Sequence, residues 1–121
     1  MPEKKMRMAT EARGGVVILH VSGSVDHVQY FQLMEAIQTQ LDKKQMHLVV
    51  SLAELTYISS AGINTLGIAV SQYEKIQGKV CYVKPGNPAQ WQFFKTIGVD
   101  RLFPWADSVD AAVKQVAPPA G

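Results

Sequence analysis

The sequence of 121 residues contains a single cysteine, Cys81. One cysteine excludes an internal disulfide and any metal site made of cysteines alone, and within an apolar strand it is typical of a small core residue. Histidine is also scarce. His20, His27 and His47 fall in different predicted segments, and no spacing pairs them as ligands. We therefore predict no metal ion and no cofactor.

Long apolar runs and excess charge are absent as well. No run approaches the roughly 20 residues of a membrane-spanning helix, and no signal-peptide pattern opens the chain. We therefore expect a cytoplasmic protein without direct membrane insertion. The formal net charge is +2, and residues 1–13 account for all of it. A nucleic-acid-binding protein would need a basic face, so nucleic acid is not an expected partner.

Motifs of catalysis and nucleotide binding are missing. The chain has no Gly-x-Ser-x-Gly elbow, no P-loop and no Gly-x-Gly-x-x-Gly. No histidine or carboxylate is placed by the sequence to activate a serine. We therefore predict that the protein is not an enzyme and has no catalytic residues.

The pattern that is present alternates strands and helices over one domain. Strands are predicted at residues 6–11, 16–21, 47–52 and 79–83, with a short edge strand at 102–105. Helices are predicted at 28–43, from the segment 56–63 to about 76, at 89–97 and at 107–116. A short turn at Gly14-Gly15 makes the first two strands an antiparallel hairpin. The predicted fold class is α/β, with a mixed, mostly parallel sheet of four to five strands and about four helices.

For two of the predicted helices, the sequence indicates which face is buried in the core. In the helix at 28–43, the predicted core face is Tyr30, Leu33, Met34, Ile37 and Leu41. In the helix at 89–97, it is Gln90, Phe93, Phe94 and Ile97. Trp91 then lies on the flank, either as an interface anchor or packed against the segment around Trp105.

The segment at residues 56–63, Thr-Tyr-Ile-Ser-Ser-Ala-Gly-Ile, stands where a buried strand passes into a helix. The first N–H groups of a helix lack intrahelical partners, and the macrodipole is positive there. A serine can cap these groups, and a phosphate on it would be well accommodated. Partner sites gather at the carboxyl ends of parallel strands, where residues 23–26 should also lie.

Three stretches together resemble one known family. They are residues 48–63, Gly23-Ser24-Val25-Asp26, and the segment Asn87-Pro88…Phe94…Ile97-Gly98-Val99. On these residues the chain resembles the STAS domain, and within it the bacterial anti-sigma factor antagonists. We accordingly predict a STAS-type domain at residues 6–116, with flexible tails at 1–5 and 117–121.

The resemblance implies a binding module that regulates transcription by switching partners. With its serine free, such an antagonist binds an anti-sigma factor that is itself a serine kinase. The kinase phosphorylates the antagonist, and a metal-dependent serine phosphatase reverses the modification. The family's phosphorylated serine lies two residues before the motif glycine, here Gly62, so Ser60 is the expected acceptor. Many members carry Asp where this chain has Ser59 and Ser51, which leaves Ser59 open as an alternative acceptor.

We expect the docking surface to include Asp26, Ser59, Ser60, Asn64 and Ile68. Asp26 precedes a helix and is also suited to capping it. Ile68 falls away from the apolar stripe of its own helix, which consists of Ile63, Leu66, Val70 and Tyr73. Two other functions stay open. One is a STAS subunit of an ABC-type lipid-transport complex, and the other is a constitutive scaffold module without a phosphorylation cycle.

Overall fold

The structure is a computed structural model that describes residues 5–119. Its elements run in the order β1 (Arg7–Arg13), β2 (Val16–Val25), α1 (Tyr30–Asp42), β3 (His47–Ile58), α2 (Ser60–Lys75), β4 (Lys79–Val83), α3 (Pro88–Ile97), α4 (Val99–Leu102), β5 (Trp105–Ala106) and α5 (Val109–Val116). None of these helices is long and apolar enough to cross a membrane. Residues 1–4 and 120–121, which include most of the predicted tails, lie outside the described part of the chain.

The five strands form one sheet in the order β1-β2-β3-β4-β5. β1 and β2 pair antiparallel, whereas the other neighbours pair parallel. The hairpin turn is made by Gly14 and Gly15, whose φ angles are +58° and +84°. A two-residue turn whose twist matches that of the strands requires positive φ angles at both positions. The predicted α/β fold with a mixed, mostly parallel sheet is confirmed.

Each face of the sheet has its own apolar core. The larger core lies between one face and helices α1, α2 and α3, and it includes Leu33, Leu66 and Phe94. The smaller core lies between the opposite face and α5, and it includes Cys81 and Ala112. α2 therefore packs on the face of the sheet that three helices cover, whereas α5 covers the other face.

β3 is six residues longer than the apolar run predicts. Its pairing with β2 is regular to Ser51 and then shifts twice, so that Glu54 lies opposite Ser22 and Ile58 opposite Val25. The extra residues form bulges, which break the alternation of a strand. The sequence therefore indicates an end at residue 52, although the strand continues to the residue before Ser59.

Two predicted helix faces are partly wrong. α1 begins at Tyr30 rather than 28, and Met34 is 45% exposed. The stripe that faces the sheet is centred on Leu33 and Ile37, and successive helical residues are 100° apart, so Met34 is turned to the flank. In α3, Phe94 is buried, whereas Phe93 and Ile97 are exposed.

Trp91 packs against the protein's own aromatic cluster. Its ring centroid lies 5.1 Å from that of Trp105, and Phe94 lies 5.5 Å from Trp105. This inward pair, three residues apart on α3, turns Phe93 outward.

The short edge strand is also displaced from the predicted 102–105 and consists of Trp105 and Ala106.

Candidate functional site

The carboxyl ends of β2 and β3 meet at the start of α2. The Ser59 N–H donates to the Val25 carbonyl oxygen at 2.8 Å, directly after Val25 and Ile58 pair as the last residues of their strands. Residues 23–26 and 59–63 are thereby joined at one edge of the sheet, as the sequence predicts. The backbone of the site is held by strand pairing and not by a free loop.

Ser59 is the N-cap of α2. Its backbone is extended, and its hydroxyl accepts a hydrogen bond from the Gly62 N–H at 3.3 Å. Its carbonyl oxygen accepts the first intrahelical bond, from the Ile63 N–H at 3.0 Å. The residue is only 8% exposed, so its hydroxyl is directed into the structure.

Ser60 is the first residue of α2 and is exposed. The N–H groups of this first turn and the helix macrodipole make its surroundings favourable for an anion. No acidic side chain lies in the first turn to oppose that effect. The two adjacent serines thus differ: one hydroxyl caps the helix, and the other side chain is presented to solvent.

Gly62 allows this junction to close. A Cβ at that position would lie 2.6 Å from Ile58 Cγ1 and 3.1 Å from Val25 Cγ1, and both isoleucine and valine are buried. Only a residue without a side chain lets the first turn of α2 approach the two strand ends so closely. The motif glycine therefore fixes the position of Ser59 and Ser60 relative to the sheet.

Asp26 caps the turn that precedes α1. Its carboxylate accepts hydrogen bonds from the Gln29 N–H at 2.7 Å and the Val28 N–H at 2.9 Å. These backbone bonds, with the Gln29 bond contributing most, hold the pKa of Asp26 below its ordinary value. The cap also accounts for the late start of α1, since residues 27–29 form a turn and not the first turn of the helix.

The predicted site residues on α2 share one exposed stripe. Asn64 and Ile68 follow Ser60 at intervals of four residues, and all three are exposed. Thr65, in contrast, is buried and its hydroxyl donates to the Ala61 carbonyl oxygen at 3.0 Å. Within residues 5–119, no group of three His, Cys, Asp or Glu side chains is arranged to hold a metal ion.

Exposed apolar residues in the turn before α1 and on α1 itself are not part of the sequence-based site prediction. Val28, Phe31 and Met34 are all exposed, at successive intervals of three residues. That spacing is itself a helical stripe and was available in the sequence as a signal. The stronger inward stripe around Leu33 conceals it.

Comparison with known proteins gives consistent matches. A family model described as the STAS domain matches residues 7–112. A protein named as an anti-sigma factor antagonist, BtrV of Bordetella bronchiseptica, is 30% identical over 109 residues, which cover 88% of this chain and 91% of the relative. The anti-sigma F factor antagonist of Paenibacillus polymyxa is 30% identical over 112 residues, with coverage of 85% and 88%.

A solved structure agrees with these sequence matches. The crystal structure of an anti-sigma factor antagonist from Mycobacterium paratuberculosis superimposes with a TM-score of 0.82 at 26% identity. The match covers 93% of this chain and 94% of that chain. The structural similarity thus extends over nearly the whole chain, and the family match at residues 7–112 includes both strand ends and α2.

Proposed function

Since the chain belongs to the STAS domain family, we propose that it is an anti-sigma factor antagonist switched by phosphorylation of Ser60. Unmodified, it binds a cytoplasmic anti-sigma factor that is a serine kinase. This binding liberates the sigma factor. Phosphorylation by the kinase ends the binding, and a metal-dependent serine phosphatase restores it. The role is that of a binding module and kinase substrate, without catalysis of its own.

The observation that carries this proposal is the division of tasks between Ser59 and Ser60. The Ser59 hydroxyl is buried and bonded to the Gly62 N–H, so a kinase would have to break the cap to reach it. Ser60 is exposed and takes no part in that cap. These two facts support Ser60 as the acceptor and assign Ser59 a positioning role.

A phosphate on Ser60 would affect docking far more than folding. It adds about −1.5 to −2 charges and three acceptor oxygens. The positive end of α2 favours an anion by roughly 0.3–1 kcal/mol, so the domain tolerates it. In an interface the same group must lose its water, which costs several kcal/mol when it stays unpaired. One modification thus leaves the fold intact and removes the partner.

The proposed docking surface extends from Ser60 along α2 through Asn64 to Ile68. Asp26 lies at the same edge of the sheet, because Val25 is bonded to Ser59. The Asp26 carboxylate already accepts two backbone N–H groups, so its first task is to shape the turn beside Ser60. Asn64 and Ile68 supply exposed polar and apolar groups to the partner.

The first test is phosphopeptide mapping and intact-mass measurement of the protein isolated from its own cells under several growth conditions. We expect one phosphate, at Ser60, whose occupancy changes with conditions. Phosphate on Ser59 would retain the mechanism but overturn the assignment of the acceptor. Absence of phosphate under every condition would count against the switch.

The second test measures binding to the purified anti-sigma factor kinases encoded in the source genome. We expect the unmodified chain and Ser60→Ala to bind one of them, and Ser60→Asp to bind it much more weakly. Equal affinity of the wild type and Ser60→Asp would contradict the proposal. Ser60→Ala is the matched control, because it removes the same hydroxyl without adding charge.

A further inference from the structure

A shallow groove runs between α1 and α2 on the outer side of the domain. It has a volume of about 80 Å³, and its apolar lining consists of Met34, Ile37, Ile68 and Ala69. α1 and α2 both connect neighbouring parallel strands, so they lie side by side. The volume is more than twice the roughly 30 Å³ that one water occupies in the liquid, which is room for the end of an aliphatic side chain.

The lining of the groove carries no charge. Its polar members, Gln38, Thr65 and Gln72, are all neutral. Met34 and Ile68 flank it with side chains that are 45% and 46% exposed. Exposed apolar residues that cluster around a concave surface mark an interaction site more clearly than scattered ones, and an uncharged lining favours an apolar occupant.

The groove is continuous with the proposed docking surface. Ile68 follows Ser60 by eight residues on the same helix, which at 1.5 Å per residue is about 12 Å. A stable protein interface covers about 800 Å² on each partner, a patch whose radius is roughly 16 Å. A partner centred on Ser60 therefore reaches Ile68, where the groove begins.

We propose that the anti-sigma factor inserts an aliphatic side chain, carried on a helix, into the groove between α1 and α2. A third helix fits between two neighbouring helices by packing its ridges into their groove, and a side chain held in such a pocket supplies much of the binding energy. This inference rests on the proposed function. In this proposal the groove contributes affinity for the anti-sigma factor, whereas phosphorylation of Ser60 controls whether that factor binds.

The test compares the affinities of Ile68→Ala, Met34→Glu and Ile76→Ala for the purified anti-sigma factor kinase, by titration calorimetry. We expect Ile68→Ala to weaken binding at least about tenfold, as truncation of a hot-spot residue does, and Met34→Glu to weaken it further. Ile76→Ala should stay within about twofold. It is the matched control, since Ile76 is 41% exposed but lies about 24 Å from Ser60 along the helix.

The outcomes separate this inference from the proposed function. If Ser60→Asp abolishes binding while Ile68→Ala and Ile76→Ala behave alike, the groove inference is wrong and the proposed function stands. If the unmodified chain binds none of the kinases, both are wrong. If Ile68→Ala instead dissociates a dimer of this chain, seen by sedimentation, with kinase affinity unchanged, the groove binds a second copy and the inference is again overturned.

Discussion

The hydroxyl of Ser59 accepts a hydrogen bond from the N–H of Gly62 at 3.3 Å, across the first turn of a helix that begins with the exposed Ser60. The bond satisfies one of the N–H groups that a helix start leaves without a partner. Because the cap and the proposed phosphate acceptor are different residues, modification of one leaves the other in place.

Ser59→Ala should destabilise the protein, whereas Ser60→Ala should not. Loss of an N-cap side chain costs about 1 kcal/mol, with a range of about 0.5–2, and an exposed substitution is usually within about 0.5 kcal/mol. Urea unfolding followed by circular dichroism gives both values. Equal stability of the two variants would show that the cap contributes little.

Gly62→Ala and Gly67→Ala should change stability in opposite directions. At Gly62 the new methyl group would meet Ile58 at 2.6 Å, and overpacking of this kind costs about 1–3 kcal/mol. At Gly67 the nearest atoms belong to the Phe103 ring at 3.5 Å, an ordinary contact, so the higher helix propensity of alanine should stabilise by up to about 1 kcal/mol. Thermal unfolding of the pair is a direct comparison within one helix.

Asp26→Asn should keep the native fold at neutral pH, whereas Asp26→Ala should lower the unfolding midpoint. Asparagine still accepts the Val28 and Gln29 N–H groups, and alanine does not. The bonds hold the pKa of Asp26 below its ordinary value, so its stabilising contribution is present above that value and is lost as pH falls through the lowered pKa. Acid titration should therefore show a smaller loss of stability for Asp26→Asn than for the wild type.

Stability should decline at alkaline pH. Burial raises the pKa of Tyr73 to about 12 and that of Cys81 to about 11, and it also raises the pKa of Tyr82. The folded state thus retains protons that the unfolded chain loses from about pH 9 upward, so the stability from these groups is complete below that pH and falls as pH rises through the folded values. Unfolding midpoints from about pH 7 to about pH 11 would measure the decline.

Cys81→Ala provides the control for the alkaline decline. The variant lacks the group with the lowest ordinary pKa of the three, so its stability should begin to fall at a higher pH than that of the wild type. An identical profile would show that the thiol does not contribute.

The sequence predicts the order of strands and helices because each buried element has a clear apolar pattern. The positions of Ser59 and Ser60 at a strand end also follow from that pattern. Their separate tasks do not, since either serine is an acceptable cap by residue type. Only the extended backbone at Ser59, fixed by its bond to Val25, decides which hydroxyl turns inward.

The sequence also does not predict which of two adjacent apolar residues on a helix is buried. Leu33 and Met34 are both apolar, as are Phe93 and Phe94, and adjacent residues on a helix are 100° apart. Which member of each pair is buried depends on the neighbouring elements. Leu33 packs against the sheet, and Phe94 packs against Trp105. The exposed Met34 then becomes part of the groove.

The spatial order of the strands is identical to their order in the chain. Each new strand therefore pairs with one that the ribosome has already released, and no strand waits for a later one to be inserted beside it. Chains are made from the N-terminus at about 5–20 residues per second, and contacts between elements close in sequence form fastest. We expect the sheet to assemble outward from the first hairpin while synthesis continues, with α5 covering its second face last.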